Sequence, residues 1–218
     1  MKIKLSLIAF ILICAGLAGP LSLSAEEAQK VVQLPPPQTD AGKPLMQVLK
    51  NRHSTRDFAP QKLSLQTLSN LLWAADGINR PDSGKRTAPT AMNWQEIDIY
   101  VTLAEGVYLY DHKAHALKLV LAEDLRGKTG LQPFVKDAPL NLVYVADLSR
   151  MPNVEDADRT LYSAVDTGFI AENVYLYCAS EGLNVVVRGL VDRPTLAGAL
   201  KLKPYQKIVL AQTVGYPK

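Results

Sequence analysis

Along this 218-residue chain the hydrophobic positions change period several times, and each change marks an element. From Pro44 the spacing is helical, with Leu45, Val48 and Leu49 at i, i+3 and i+4. A second helix is predicted after Ser64, an N-cap type, because Leu65, Leu68, Leu71, Leu72 and Ala75 share one stripe before Gly77 ends it. Residues 79–95 lose the period and read as a loop. Ile97, Ile99, Val101 and Leu103 then alternate, as in a strand, and apolar runs at 107–110 and 116–121 flank a polar stretch at 111–115 that reads as a hairpin turn. Residues 140–146 are apolar apart from Asn141, the signature of a strand buried on both faces.

After a polar loop at 149–158, the longest helix is predicted over 160–181. Leu161, Ala164, Val165, Gly168, Ala171, Tyr175 and Cys178 keep the helical repeat, while Phe169, Ile170, Val174 and Leu176 place apolar groups on its other faces. A helix apolar nearly all round is buried, either centrally or at a subunit interface. Gly182 ends it, and a strand at 183–187, a short helix at 193–200 and a last strand at 207–214 follow. Helices first, then a hairpin meander, then helix and strand in alternation imply an α+β domain with a central mixed sheet flanked by helices.

The first 25 residues differ from all of this. Lys2 and Lys4 precede an apolar run over 5–18, Gly19-Pro20 breaks it, and small residues lead to Ala25 before Glu26-Glu27. This is the three-part pattern of a secretory signal peptide, and the run is shorter than the roughly 20 residues of a membrane span. The expected organisation is therefore a signal peptide at 1–25, a Pro-rich linker or arm at 26–43 containing Pro35-Pro36-Pro37, and one domain over 44–218. Removing the signal turns 24 basic against 21 acidic residues into 22 against 21. A nearly neutral body has no clustered basic field for nucleic acid. It also leaves Cys178 without a second cysteine, and within a helical apolar pattern this thiol reads as core packing.

No GxGxxG, GxxxxGK[ST] or GxSxG occurs. His112 and His115 lie in the predicted turn and read as solvated residues, with no further ligands to make a metal set. The stretch Arg52-His53-Ser54-Thr55-Arg56-Asp57-Phe58 is the strongest candidate for binding chemistry. If it is extended, Arg52, Ser54 and Arg56 point to one side, where two guanidiniums and a hydroxyl suit a phosphate and a polar ring edge. On the residues alone, a basic surface turn is the competing reading. Other candidates are the loop Arg86 to Gln95, Arg188-Gly189 at a strand end, and the terminus Gly215-Tyr216-Pro217-Lys218.

Taken in order, Arg-His-Ser-Thr-Arg-x-Phe at 52–58, Ala-Pro-Thr-x-x-Asn-x-Gln at 88–95, Gly-x-x-x-Glu-Asn at 168–173 and Val-Gly-Tyr-Pro-Lys at the end resemble the FMN-dependent nitroreductase superfamily. The resemblance leans toward its subgroup of azoline-oxidising dehydrogenases of peptide toxin synthesis. It implies a nitroreductase-like fold and a homodimer with its long helix at the interface, binding FMN in sites built from both chains. By resemblance, Arg52 and Ser54 serve the phosphate and ribityl end, Arg56 the flavin N1/O2 edge and Lys218 the phosphate, and His53 belongs to the same cofactor-binding stretch. Pro89, Thr90 and Asn93 come from the partner, and the backbone at Arg188 and Gly189 faces N5 and O4. The implied activity is two-step hydride transfer through flavin N5 to a small nitro, quinone or similar acceptor. Dehydrogenation of a peptide-like or small substrate and non-enzymatic flavin binding are the alternatives. No side chain is singled out as an acid or base, and no metal is implied.

The chain departs from the family pattern at Thr90, Glu96 and Glu172, where serine, proline and glutamine are common. Arg86 offers an extra phosphate charge, since only one basic residue ends the chain. A signal peptide also places the protein in the periplasm or outside the cell. Nicotinamides are scarce there, so the expected electron donor is of another kind.

Overall fold

The computed structural model describes residues 31–218, so the signal segment at 1–25 and the start of the arm lie outside the described residues. Strand β1 (Val31–Gln33) is followed by helices α1 (Leu45–Asn51) and α2 (Leu65–Asp76), then by the strand pair β2 (Ile78–Arg80) and β3 (Lys85–Arg86). Strands β4 (Ile97–Leu103), β5 (Gly106–Asp111) and β6 (Ala116–Leu121) form the meander and β7 (Leu140–Asp147) follows. Helix α3 (Asp156–Glu181), β8 (Asn184–Arg188), α4 (Arg193–Ala199) and β9 (Gln206–Gly215) complete the order.

Seven strands join in the order β1-β6-β5-β4-β7-β9-β8. The α+β class is as expected, but the sheet is antiparallel at every pairing among the described strands rather than mixed. The reason is strand order: α3 carries the chain from β7 across to β8, which runs parallel to it, but β9 is inserted between the two and pairs antiparallel with both.

Both faces of the sheet are covered. Ile97, Ile99, Val101, Leu142, Tyr144 and Ala146 pack with α2 and α3 on one side. Tyr100, Val143, Val145 and Ile208 pack with Leu196 and Leu200 of α4 on the other. The nearly continuous apolar run of β7, broken within 140–146 only by Asn141, follows from this double cover, since its odd and even residues face different cores. In β4 the same cover buries Asp98 and Thr102, and Asp98 is answered by Arg150 Nη2 at 2.9 Å.

Two expectations from sequence need correction here. Residues 79–95 are not only loop, because β2 and β3 pair as a short hairpin. His112 and His115 are not solvated. His112 Nε2 lies 2.9 Å from Asp76 Oδ2 in a nearly closed environment. His115 sits between Tyr110 Oη at 2.9 Å and Ser69 Oγ at 2.7 Å. The arm makes the difference. Pro35 O accepts from Ser69 Oγ, and Pro36 O accepts from Gln66, which lays the arm along α2. Among the described residues no helix is long and apolar enough to cross a membrane.

Candidate functional site

Helix α1 ends where Arg52 leaves helical geometry for an extended one (ψ 118°). The chain then runs along β8: Thr55 N donates to Val185 O at 2.9 Å, and Val185 N donates to Thr55 Oγ1 at 3.0 Å. Pinning Thr55 to the strand turns its neighbours the other way, as the period-two argument requires. Arg52 and Ser54 both meet Tyr175 of α3. The guanidinium carbon lies 5.3 Å from the ring centroid, and Ser54 Oγ lies 2.7 Å from Tyr175 Oη. Tyr175 Oη also accepts Val187 N at 2.9 Å, which locks the phenol in place. His53 is exposed and its Nδ1–H donates to Asn51 O at 2.6 Å. Arg56 is exposed, and no described residue bonds its guanidinium.

The C-terminus is seated on the same segment. Ala59 N donates to Tyr216 O at 2.8 Å, and Lys218 Nζ lies 3.4 Å from Asp57 Oδ1. Gly215 has to be small, because a Cβ there would come within 2.8 Å of Pro139. Arg52, Ser54 and Arg56 thus lie on one short extended segment beside β8, and Lys218 is drawn to that segment through Asp57.

Arg188 and Gly189 play different parts. The Arg188 guanidinium is buried and donates to Thr213 Oγ1 (3.0 Å), Thr129 O (2.8 Å) and Asn141 Oδ1 (3.0 Å). Burial without a carboxylate lowers its pKa to about 10, which still leaves it charged at neutral pH. Its side chain is thus fully engaged inside the protein. Gly189 is exposed, and a Cβ there would meet nothing nearer than Leu210 at 3.8 Å. The chain's own packing does not demand a glycine at this point, so its bare backbone is open to an outside ligand.

Pro89, Thr90 and Asn93 are not part of this neighbourhood within one chain. Their loop is tied to α3 through Ala91 N, which donates to Asp166 Oδ2 at 2.9 Å. Asp166 precedes Tyr175 by roughly 13 Å of helix at 1.5 Å per residue. Met92, Asn93 and Gln95 all have left-handed backbone (φ 49°, 56° and 52°), and of these only Asn93 is a type that adopts it readily. The loop shape is therefore imposed by its contacts. Pro89 and Asn93 are exposed, and Met92 protrudes into solvent.

Arg86 does not reach the Arg52 neighbourhood. Within one chain its Nη1 bonds Asp76 Oδ2 at 2.7 Å, beside the Asp166 end of α3. Sequence reasoning treated Glu96 only as a departure from a pattern. It is in fact fully buried, with its carboxyl pushed up to about 7, chiefly by burial and further by Asp166. Its position directly before an apolar strand, where no solvent face exists, was the available signal. Cys178 is buried with its thiol pushed well up by desolvation, which suits packing.

One cavity of about 570 Å³ lies elsewhere, lined by Leu63, Leu68, Leu103, Tyr108 and Leu117, and none of the predicted site residues borders it. The outward side of α3 carries a second feature. Leu161 (57% exposed), Val165 (43%) and Phe169 (43%) recur every four residues, and exposed Leu45, Met46 and Leu49 lie on α1.

Comparisons with known proteins bear on the family and the fold. A family model described as Nitroreductase family matches residues 49–216. A nitroreductase-type protein of Methanocaldococcus jannaschii is 31% identical over 176 residues, covering 76% of this chain and 88% of the relative. The solved structure of a nitroreductase-type protein of Ralstonia eutropha JMP134 superposes with a TM-score of 0.83 at 47% identity, over 86% of this chain and 90% of that one. A further one from Desulfovibrio desulfuricans, crystallised in complex with FMN, shares the fold at a TM-score of 0.59 and 20% identity, over 81% of this chain and 88% of that one.

Proposed function

The chain belongs to the nitroreductase family and is an oxidoreductase, and from that premise we propose that it is an FMN-dependent enzyme working as a homodimer on small acceptors of the nitro or quinone type. The observation that carries the reading is the Arg52–Arg56 segment, braced on Tyr175 and joined by Lys218 through Asp57, with the Gly189 backbone uncovered at the end of β8. The residues fit the cofactor. Arg guanidiniums give fixed donors to a phosphate, Lys218 adds charge, and the missing Cβ at Gly189 leaves room for a flat ring.

FMN supplies hydride chemistry when bound, while the protein contributes orientation and electrostatics. Arg52, braced on Tyr175, and Ser54 hold the phosphate and ribityl end. Arg56 places positive charge where reduction would add negative charge. Pro89, Thr90 and Asn93 lie too far along α3 to join them within one chain, so they serve the partner's site. The exposed apolar stripes of α3 and α1 are the surfaces that bring the two chains together.

The first test is the flavin itself. Purified protein is expected to be yellow or to take up added FMN, and Arg52→Ala should weaken binding roughly 10- to 100-fold. That corresponds to a charge-assisted contact of about 1.5–3 kcal/mol. Unchanged affinity would take the phosphate from Arg52, and wild-type protein that binds no FMN would remove the cofactor reading. The signal-like segment at 1–25 adds a separate expectation. The chain is cleaved near Ala25, exported, and served by a donor other than a nicotinamide. Cell fractionation with intact-mass measurement decides this, and an uncleaved cytoplasmic protein would overturn it.

A further inference from the structure

Beneath the Thr90–Gln95 loop the fold buries two carboxylates against one another. Glu96 is fully buried and Asp166 is 3% exposed, and the two border the same small cavity beneath the loop. Each holds the loop through a different atom. Asp166 Oδ2 accepts from Ala91 N at 2.9 Å, and Glu96 Oε2 accepts from Thr90 Oγ1 at 3.2 Å. Thr90 Oγ1 in turn accepts Gln95 N at 3.1 Å, so the loop is closed through the same pair. Glu96 Oε1 is buried and has no partner.

The charged groups facing this pair are Asp76 from α2, Arg86 from β3 and, beyond Asp76, His112 from the β5–β6 turn. Arg86 is engaged by Asp76 at 2.7 Å, and His112 approaches that same Asp76 oxygen at 2.9 Å. The Arg86 ion pair is with Asp76, its buried Nε has no partner, and among the described residues no ion pair joins a cation to Glu96 or Asp166. Two carboxylates in contact inside a protein, without a cation, cannot both be ionised.

We propose that Glu96 and Asp166 share one proton, and that this proton latches the Thr90–Gln95 loop, making Glu96 a positioning residue for the cofactor. The inference rests on the FMN reading above, in which this loop meets the flavin of the partner. Left-handed Met92 and Gln95 disfavour the loop's shape, so its set depends on the two carboxyl anchors. When the proton leaves, two like charges face each other in a dry site. The relief is water entry and release of Ala91 and Thr90. The position of the Glu96 carboxyl near 7 sets where this happens. Because the latched form binds cofactor, the dissociation constant rises with pH above that point, by up to about tenfold per pH unit for one linked proton.

The test is FMN titration across neutral pH with wild type and Glu96→Gln. The glutamine keeps a bond to Thr90 and donates to Asp166 without needing a proton. Wild type is expected to lose affinity above neutrality, while Glu96→Gln stays flat near the wild-type low-pH value. The cofactor's own phosphate titrates identically against both, so their difference isolates Glu96. Infrared spectra of the cofactor-free proteins give a second readout. Wild type should show the C=O stretch of a protonated carboxyl that fades as pH rises, and Glu96→Gln should lack it. Equal pH dependence in the two proteins, or no such band in wild type, overturns the proposal. If no FMN binds at any pH, the cofactor reading fails, and the infrared band still decides whether the proton is shared. Asp166→Asn makes the same comparison from the other side of the pair should Glu96→Gln not fold.

Discussion

Val165→Glu is expected to yield a folded monomer that has lost its flavin. Val165 stands between Leu161 and Phe169 on the outward stripe of α3, one helical turn from each. The inward face of the helix, with Ile170, Val174 and Cys178 in the core, does not involve it. Folding of the chain should therefore survive, with unchanged far-UV circular dichroism. Association should not survive. In a two-fold dimer the same patch meets itself, so each substitution enters the interface twice. Each unpaired carboxylate costs at least about 3 kcal/mol to bury, or roughly two orders of magnitude in the dimer constant. In the proposed site Arg52 and Asn93 reach one cofactor from different chains, so flavin should leave with the partner. Sedimentation and flavin content, measured on the same sample, check both halves. A dimer that persists would free α3 from the interface, and a monomer that keeps FMN would show that one chain suffices.

The elements with strong local signals were legible. Ser64 does cap α2, its Oγ accepting Thr67 N at 3.0 Å, and Gly182 does end α3 in the left-handed region (φ 72°). The alternation of Ile97, Ile99, Val101 and Leu103 matches the observed strand because packing against α2 and α3 enforces a period of two. What escaped depends on distant chain. α3 starts at Asp156, earlier than its first apolar residue, since acidic groups favour the positive helix end without adding to a hydrophobic pattern. The β2–β3 hairpin carries too few apolar residues for any periodicity. His112 and His115 lie in a turn that would be wet were Pro35 and Pro36 not folded across α2.

The candidate site divides in the same way. The side chains that alternate along 52–56 could be assigned to one face from spacing alone, because an extended segment fixes that geometry. That they meet Tyr175, and that Lys218 joins them, requires the sheet to place β8 beside α3 and the terminus beside Asp57. The Glu96–Asp166 contact joins a strand start to a helix interior 70 residues away, and no local pattern encodes it.

Arg188→Met should destabilise the protein severely while leaving the identity of the phosphate ligands untouched. The guanidinium ties β8 to Thr213 on β9, to Asn141 on β7 and to the turn at Thr129. Gly130 is what admits it, because a Cβ there would fall 1.9 Å from Arg188 Nη1. Methionine fills part of the space but returns no donor. Thr129 O loses its Arg188 bond, Asn141 Oδ1 keeps only Thr213 as donor, and neither gains water in the buried site. Several unsatisfied groups together cost about 3–5 kcal/mol, or roughly 6–20 °C in Tm for a domain of this size. Arg188→Lys should recover only part of that, since an ammonium cannot serve three acceptors set in a planar fork. Urea unfolding of the cofactor-free proteins separates this role from a direct one. If Arg188→Met kept full stability and lost only FMN affinity, the guanidinium itself would be holding cofactor. If stability falls as expected, Arg188 is the strut that fixes the end of β8 and with it the Gly189 backbone.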